Sequence, residues 1–165
     1  MNNSERQELA AQLAAVPRSD LLTLGERLAT RHHLRHGTVP HDGLYLLTME
    51  DGVHRDHFYL GEIPVATAVI ELDTSLGTVR GGASLLGATV AQAEAAALCD
   101  AIASHHLDGA DEVLTLAQRG ECIRSEIATQ RAQMCAATRV TFSDLSEGDT
   151  IESPSDGTKN PEKKG

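Results

Sequence analysis

A chain of 165 residues with 24 acidic and 14 basic side chains carries a formal net charge of −10. That balance excludes general binding to nucleic acid or to an anionic membrane, because both need a positive surface. The hydrophobic fraction of 41% is enough to build a core, but with no Trp, two Tyr and two Phe the interior falls to Leu, Val, Ile and Ala.

The length fits one domain. Alanine-rich packing buries little area per side chain, so a chain of this kind leans on a partner for part of its stability. All three lysines (Lys159, Lys163, Lys164) lie in the last seven residues, and the rest of the chain uses only arginine. An acidic, lysine-poor surface suits a salt-rich cytoplasm such as that of a halophilic archaeon; a GC-rich genome gives a similar arginine bias. Cys99, Cys122 and Cys135 are odd in number, without a C-x-x-C, and read as reduced core thiols of an intracellular protein. The start, "MNNSERQELAAQL", lacks the apolar stretch of a secretory signal, and no run reaches the length of a membrane span. A cytoplasmic protein is expected.

In chain order, Ser4 and Gln7 form a capping box ahead of Leu9, Leu13 and Val16 at helical spacing, and Pro17 stops that helix. Ser19 or Asp20 can cap a second helix with Leu21, Leu24 and Leu28 on one face, giving a helical hairpin. The period then changes. "GLYLLTM" (43–49) is an apolar strand, "EDG" (50–52) is turn chemistry, and "VHRDHFYLGE" (53–62) returns. "PVATAVIELD" (64–73) places Ala66, Ala68, Ile70 and Leu72 on one face, and "LGTVRGG" (76–82) is its return strand. Short links make this an antiparallel meander with one covered face.

The second half is helical. Thr89 and Gln92 form a capping box for a helix over 89–107, with Val90, Ala93, Ala97, Ala101 and His105 along one stripe and Gly109 as the stop signal. Asp111 can cap a long helix to about residue 136, with Val113, Leu116, Gly120, Ile123, Ile127 and Met134 in register. "TRVTFSD" (138–144) reads as a strand. From Leu145 onward the chain is polar and rich in Pro, Gly and Ser, a composition too poor in apolar area to fold. The class is α+β: one domain over 1–144, built of an N-terminal helical hairpin, an antiparallel meander, two long helices and a C-terminal strand, followed by a disordered tail over 145–165.

Chemistry candidates are few. The glycines of "GGASLLGAT" (Gly81, Gly82, Gly87) precede a helix start, where unpaired N–H groups attract anions. Their spacing is neither G-x-G-x-x-G nor G-x-x-x-x-G-K-[ST], no lysine follows, and the capping box satisfies the helix start by itself. Arg80 is the nearest anion-binding cation, with Arg139 as a second. Glu94, one turn into the helix, is either a catalytic carboxylate or a dipole-stabilising one. "RHHLRH" (His32, His33, His36) and "HRDH" (His54, His57) match no metal-ligand spacing, and a solvated helix end and a hairpin rim account for them. His105 and His106 suit a helix C-terminus. Cys99 lies beside the Ala stripe as a structural thiol, and no serine stands in a G-x-S-x-G elbow. The residues supply no metal site and no self-sufficient catalytic group.

Three segments in order carry a resemblance. "FYLGEIPVATAVIELD" is similar to the F-x-L-G-E-x-x-V-T-x-A-x-V-x-L ribbon of the PhnG family. "GASLLGATVAQAEAAALCDA" resembles its glycine turn leading to A-E-x-x-A-L-x-D-A, and "RSEIATQRAQMCAATRVTFSDL" its terminal R-x-x-x-A-x-x-x-A-x-T-x-V-x-F segment. The likeness runs from about residue 7 to 144. One departure stands out: family members often carry Arg-Asp after the glycine matching Gly87, where this chain has Ala88 and Thr89. The loop over 74–86 also looks longer than usual, and Arg80 within it is the substitute for the missing cation.

The resemblance implies a subunit of the bacterial and archaeal carbon–phosphorus lyase system, assembled with PhnH-, PhnI- and PhnJ-like partners. That system displaces adenine from ATP with an alkylphosphonate, giving ribose 1-alkylphosphonate 5-triphosphate, before a radical step cleaves the C–P bond. Nucleosidase chemistry belongs to the PhnI partner and the iron–sulfur cluster to the PhnJ partner, so this chain is an auxiliary subunit without its own cofactor, metal or catalytic residue. Ala93, Ala97 and Ala101 are then assembly residues, and Arg80, Gly87 and Glu94 the ligand-binding candidates. The competing readings are a free-standing small-molecule or phosphate-binding enzyme using the Gly81–Thr89 loop, and a histidine-built metal or sensor module. A subunit predicts an exposed apolar face; an enzyme predicts a pocket containing Arg80 and Glu94.

Overall fold

The computed structural model describes residues 1–75 and 77–138. Four helices and three strands follow in the order α1 (Asn3–Ala15), α2 (Arg18–Ala29), β1 (His33–Glu50), β2 (His57–Thr74), β3 (Gly77–Leu86), α3 (Val90–Ser104) and α4 (Ala110–Ala137). The strands form one antiparallel sheet in the order β1-β2-β3. The α+β class and the meander are as the sequence predicts.

Burial explains the layering. Ala66, Ala68, Ile70 and Leu72, alternate residues of β2, point to one face and are fully buried there, as a strand's twofold period requires. Against them lies α3, whose alanines let its backbone sit close to the sheet. Leu21, Leu24 and Leu28 of α2, and Leu9, Leu13 and Val16 of α1, complete the core with Leu98, Ile102 and Val113. Helix α4 runs antiparallel to α1: Arg124 pairs with Glu8, and the α4 backbone at Gly120 approaches Gln12. Among the described residues all helices are on one face, and the opposite face of the sheet carries no layer.

Pro64 decides where the sheet narrows. Strand β3 pairs with β2 only from Val65 to Thr74, and the last contact is the Gly87 N–H donating to the Pro64 carbonyl at 2.7 Å. Proline has no N–H to return, so the ladder on that side ends there. Beyond it β1 and β2 continue alone as a two-stranded ribbon, closed by a turn over 51–56 in which the Asp51 carboxylate accepts from the Val53 and His54 N–H groups.

Several sequence expectations are corrected. The capping box of α1 is Asn2–Glu5, not Ser4–Gln7. Pro17 itself occupies the N-cap of α2, with Ser19 and Asp20 inside the first turn. "RHHLRH" is no helix end: α2 stops at Ala29, and His33 opens β1, whose polar start is tolerated because an edge strand faces water. The segments 53–62 and 64–73 are joined into one strand from His57, and the glycines at 81 and 82 lie within β3, not in a loop. Helix α3 ends at Ser104 with His105 as its C-cap. Gly109, in the left-handed conformation, caps α4 in place of Asp111. The apolar stripe of α4 is covered only at its start, since Ile127 and Met134 are exposed. Cys122 and Cys135 are exposed too, so only Cys99 is a core thiol. The strand expected over 138–144 lies outside the described residues apart from Thr138, the C-cap of α4, and the tail over 145–165 lies wholly outside them.

Candidate functional site

The glycine stretch resolves into packing. A Cβ on Gly81 would lie 2.2 Å from the Ala97 carbonyl oxygen and 2.3 Å from the Ala101 nitrogen, so only glycine lets β3 meet the α3 backbone. Ala93, Ala97 and Ala101 are completely buried, and the backbone that approaches Ala97 and Ala101 is this chain's own β3. Gly87, with φ of 68°, makes the exit turn from β3 and has open space around its Cβ position. Thr89 then starts α3 with its N–H donating to Gln92 Oε1 at 3.1 Å, the capping box expected from T-x-x-Q.

Arg80 and Glu94 do not converge. Arg80 stands opposite Glu71 in the β2–β3 register, and its Nε donates to Glu71 Oε1 at 2.7 Å. Alternation puts both on the uncovered face, opposite to buried Ile70 and Leu72. Arg35 joins them from β1, 2.8 Å from Asp73, so this end of the outer face is a ladder of paired charges. Glu94 is on the helical side, 2.7 Å from His36 Nε2. Together they border a shallow groove of about 270 Å³ whose other walls include Leu22, Leu34, Ile70 and Leu98. The arrangement is a half-exposed imidazole–carboxylate contact beside apolar carbon, with no nucleophile.

The wider groove between α2 and α4, about 690 Å³, is rimmed by arginines that already have acids. Arg119 lies 2.6 Å from Asp20, and Glu112 accepts from both Arg27 and Arg31. The hydrogen bond from Arg31 holds the Glu112 carboxyl below the usual carboxylate range. Among the described residues no three His, Cys, Asp or Glu side chains gather as a metal-binding group.

One buried ionic centre had no role in the sequence reading. Asp100, on α3, is 5% exposed and accepts from Arg6 Nε at 2.9 Å, from Arg6 Nη2, from the Gly82 N–H at 2.8 Å and from Ser104 Oγ at 3.2 Å. It fastens α1, α3 and the edge of β3 at one point. Every partner is a donor, the condition under which a buried carboxylate is tolerated. Cys99 is next to it, and burial first, with the Asp100 charge second, pushes its thiol up to about 12. It is therefore a packing group and no nucleophile at neutral pH.

The feature that stands apart is the ribbon beyond Pro64. Leu44 is 64% exposed, Tyr45 55%, Phe58 46%, Tyr59 70% and Leu60 61%. Three of the chain's four aromatic residues sit on this arm. A two-stranded hairpin is marginal by itself in water, and contiguous exposed apolar surface marks an interaction site. A meander is expected to give "GLYLLTM" one covered face; among the described residues both of its faces are open. The absence of charge from all seven residues was the available signal, since a half-buried strand alternates and this segment does not. No helix among the described residues is long and apolar enough to cross a membrane.

Residues 4–148 match the family described as "Phosphonate metabolism protein PhnG". No curated protein matches the chain.

Proposed function

The chain belongs to the PhnG family of phosphonate metabolism proteins, and from that premise we propose that it is an auxiliary, non-catalytic subunit of a carbon–phosphorus lyase core complex. In that complex it assembles with PhnH-, PhnI- and PhnJ-like subunits and supports formation of α-D-ribose 1-alkylphosphonate 5-triphosphate from ATP and an alkylphosphonate. The observation that carries the reading is the apolar arm. Uncovered Leu44, Tyr45, Phe58, Tyr59 and Leu60 are costly in water and acquire a purpose against a partner chain. The separation of Arg80 from Glu94 across the sheet favours the same reading over a loop-based enzyme, because an anion seated on Arg80 is out of reach of the Glu94 carboxylate.

In this proposal the glycine stretch and the Ala93, Ala97, Ala101 stripe serve assembly indirectly, by clamping β3 to α3 so that the sheet presents the arm at a fixed angle. The test is co-expression with the three partner subunits, followed by assay of adenine release from ATP in the presence of methylphosphonate. The expected result is turnover by the assembly, none by this chain alone, and loss of the chain from the assembly when residues 44–62 are replaced by a short Gly-Ser turn. Turnover by the isolated chain would overturn the proposal, and so would undiminished assembly without the arm.

A further inference from the structure

The arm differs from the body in charge as well as in polarity. On the body, Arg6, Arg27, Arg31, Arg35, Arg80, Arg119 and Arg124 each pair with a carboxylate. Between residues 39 and 63 there are five carboxylates, Asp42, Glu50, Asp51, Asp56 and Glu62, against one arginine, Arg55. None of the five enters an ion pair among the described residues.

The register distributes these groups unequally. The cross-strand pairs Asp42↔Ala66, Leu44↔Pro64, Leu46↔Glu62, Thr48↔Tyr59 and Glu50↔His57 share the face that is buried farther along β2. This face therefore alternates apolar groups (Leu44, Leu46, Tyr59) with acids, Asp42 at the base of the arm and Glu62 and Glu50 along it, the last opposite His57. The opposite face takes Tyr45↔Ile63 and Met49↔Phe58, with Leu47 between them, and has no charge. It continues past Leu86 to the Thr67–Ser84 hydroxyl pair, 2.9 Å apart, before reaching the paired charges of Arg35, Glu71 and Arg80.

From this asymmetry we infer that the arm is gripped on both faces by another protein chain whose cleft has one uncharged apolar wall and one apolar wall studded with Arg or Lys. The inference rests on the subunit reading and specifies the chemistry of the partner. Carboxylates at Asp42, Glu50 and Glu62, spaced between leucines and a tyrosine, need cations at the same spacing once water is expelled, because a desolvated unpaired carboxylate is strongly disfavoured. A second copy of this chain is the poorer fit, because its arm brings the same five carboxylates, one arginine at its tip, three histidines and no lysine.

The experiment compares four full-length chains, each co-expressed with the PhnH-, PhnI- and PhnJ-like subunits and held at equal expression. They are the wild type, Asp42→Lys/Glu50→Lys/Glu62→Lys, its neutral counterpart Asp42→Asn/Glu50→Gln/Glu62→Gln, and Tyr45→Ser/Phe58→Ser. Affinity for the remaining subcomplex is read at low and high NaCl, and a thermal melt checks that each variant folds. The expected result is a wild-type affinity that falls about tenfold or more as salt rises and screens the charges. The Lys variant loses binding at low salt, and the neutral Asn/Gln/Gln variant binds with a flattened salt dependence. The Ser variant binds weakly while keeping the wild-type salt slope. A folded Lys variant that assembles like wild type would overturn this inference and leave the subunit reading standing. Failure of the wild-type chain to assemble would overturn both, and an arm-dependent homodimer would assign the surface to a second copy instead.

Discussion

Two adjacent glycines give opposite expectations, and the contrast tests how the sheet is joined to its helix. In Gly81→Ala the new methyl would lie 2.2 Å from the Ala97 oxygen and 2.3 Å from the Ala101 nitrogen. Both obstacles are helix backbone, so no side chain can swing aside, and α3 must retreat by roughly 1 Å to restore ordinary contact. That retreat also stretches the 2.8 Å bond from the Gly82 N–H to Asp100. The cost is expected at the upper end of the overpacking range, about 3 kcal/mol. For a chain of this size that lowers Tm by about 6–12 °C. In Gly82→Ala the methyl meets nothing closer than the Ala68 oxygen at 3.8 Å, and the change is expected to stay within about 0.5 kcal/mol. Urea titration of both variants beside wild type gives the comparison. Equal effects from the two substitutions, or a Gly81→Ala loss below about 0.5 kcal/mol, would refute the close approach of β3 to α3.

Asp100→Asn keeps the shape but turns an acceptor into a group facing three donors, and with Arg6 partly exposed the expected loss is about 2 kcal/mol by chemical denaturation; no loss would mean that the node is idle. Iodoacetamide at pH 8 on the native chain should modify Cys122 and Cys135 and spare Cys99, whose thiol is pushed up to about 12, with the third label appearing only in denaturant; native labelling of Cys99, located by peptide mapping, contradicts that burial. Arg80→Ala removes a side chain that is 72% exposed, so stability should change by less than about 1 kcal/mol while assembly and turnover persist; an intact complex that has lost turnover would make Arg80 a ligand group after all.

What the sequence disclosed was the part set by local periodicity. Leu9, Leu13 and Val16, then Leu21, Leu24 and Leu28, mark their helices because burial recurs at helical spacing, and all six are buried. The T-x-x-Q box located the start of α3 to the residue. Caps with rivals nearby were less legible, since Asn2, Ser4, Ser19 and Asp20 are all competent acceptors and packing chooses among them. Asp100 was visible in principle: it lies three residues after Ala97 and seven after Ala93, so it shares the buried stripe. A carboxylate there demands a partner, but Arg6 is ninety-four residues away and no pattern names it. The arm was the least accessible, because its exposure depends on where β3 stops, and that depends on Pro64 meeting Gly87 across the sheet.

The central claim, that the arm is the surface through which this subunit assembles, is tested most directly by amide hydrogen exchange over residues 43–63. The measurement compares the isolated chain with the complex formed with PhnH-, PhnI- and PhnJ-like subunits. Among the described residues the ribbon is paired only to itself and lacks cover on either face, so its amides should exchange quickly in the free chain. In the complex the same amides should slow by about a hundredfold or more, while those of α3, already buried, change little. Exchange over 43–63 that is identical in the free chain and the complex would contradict the account.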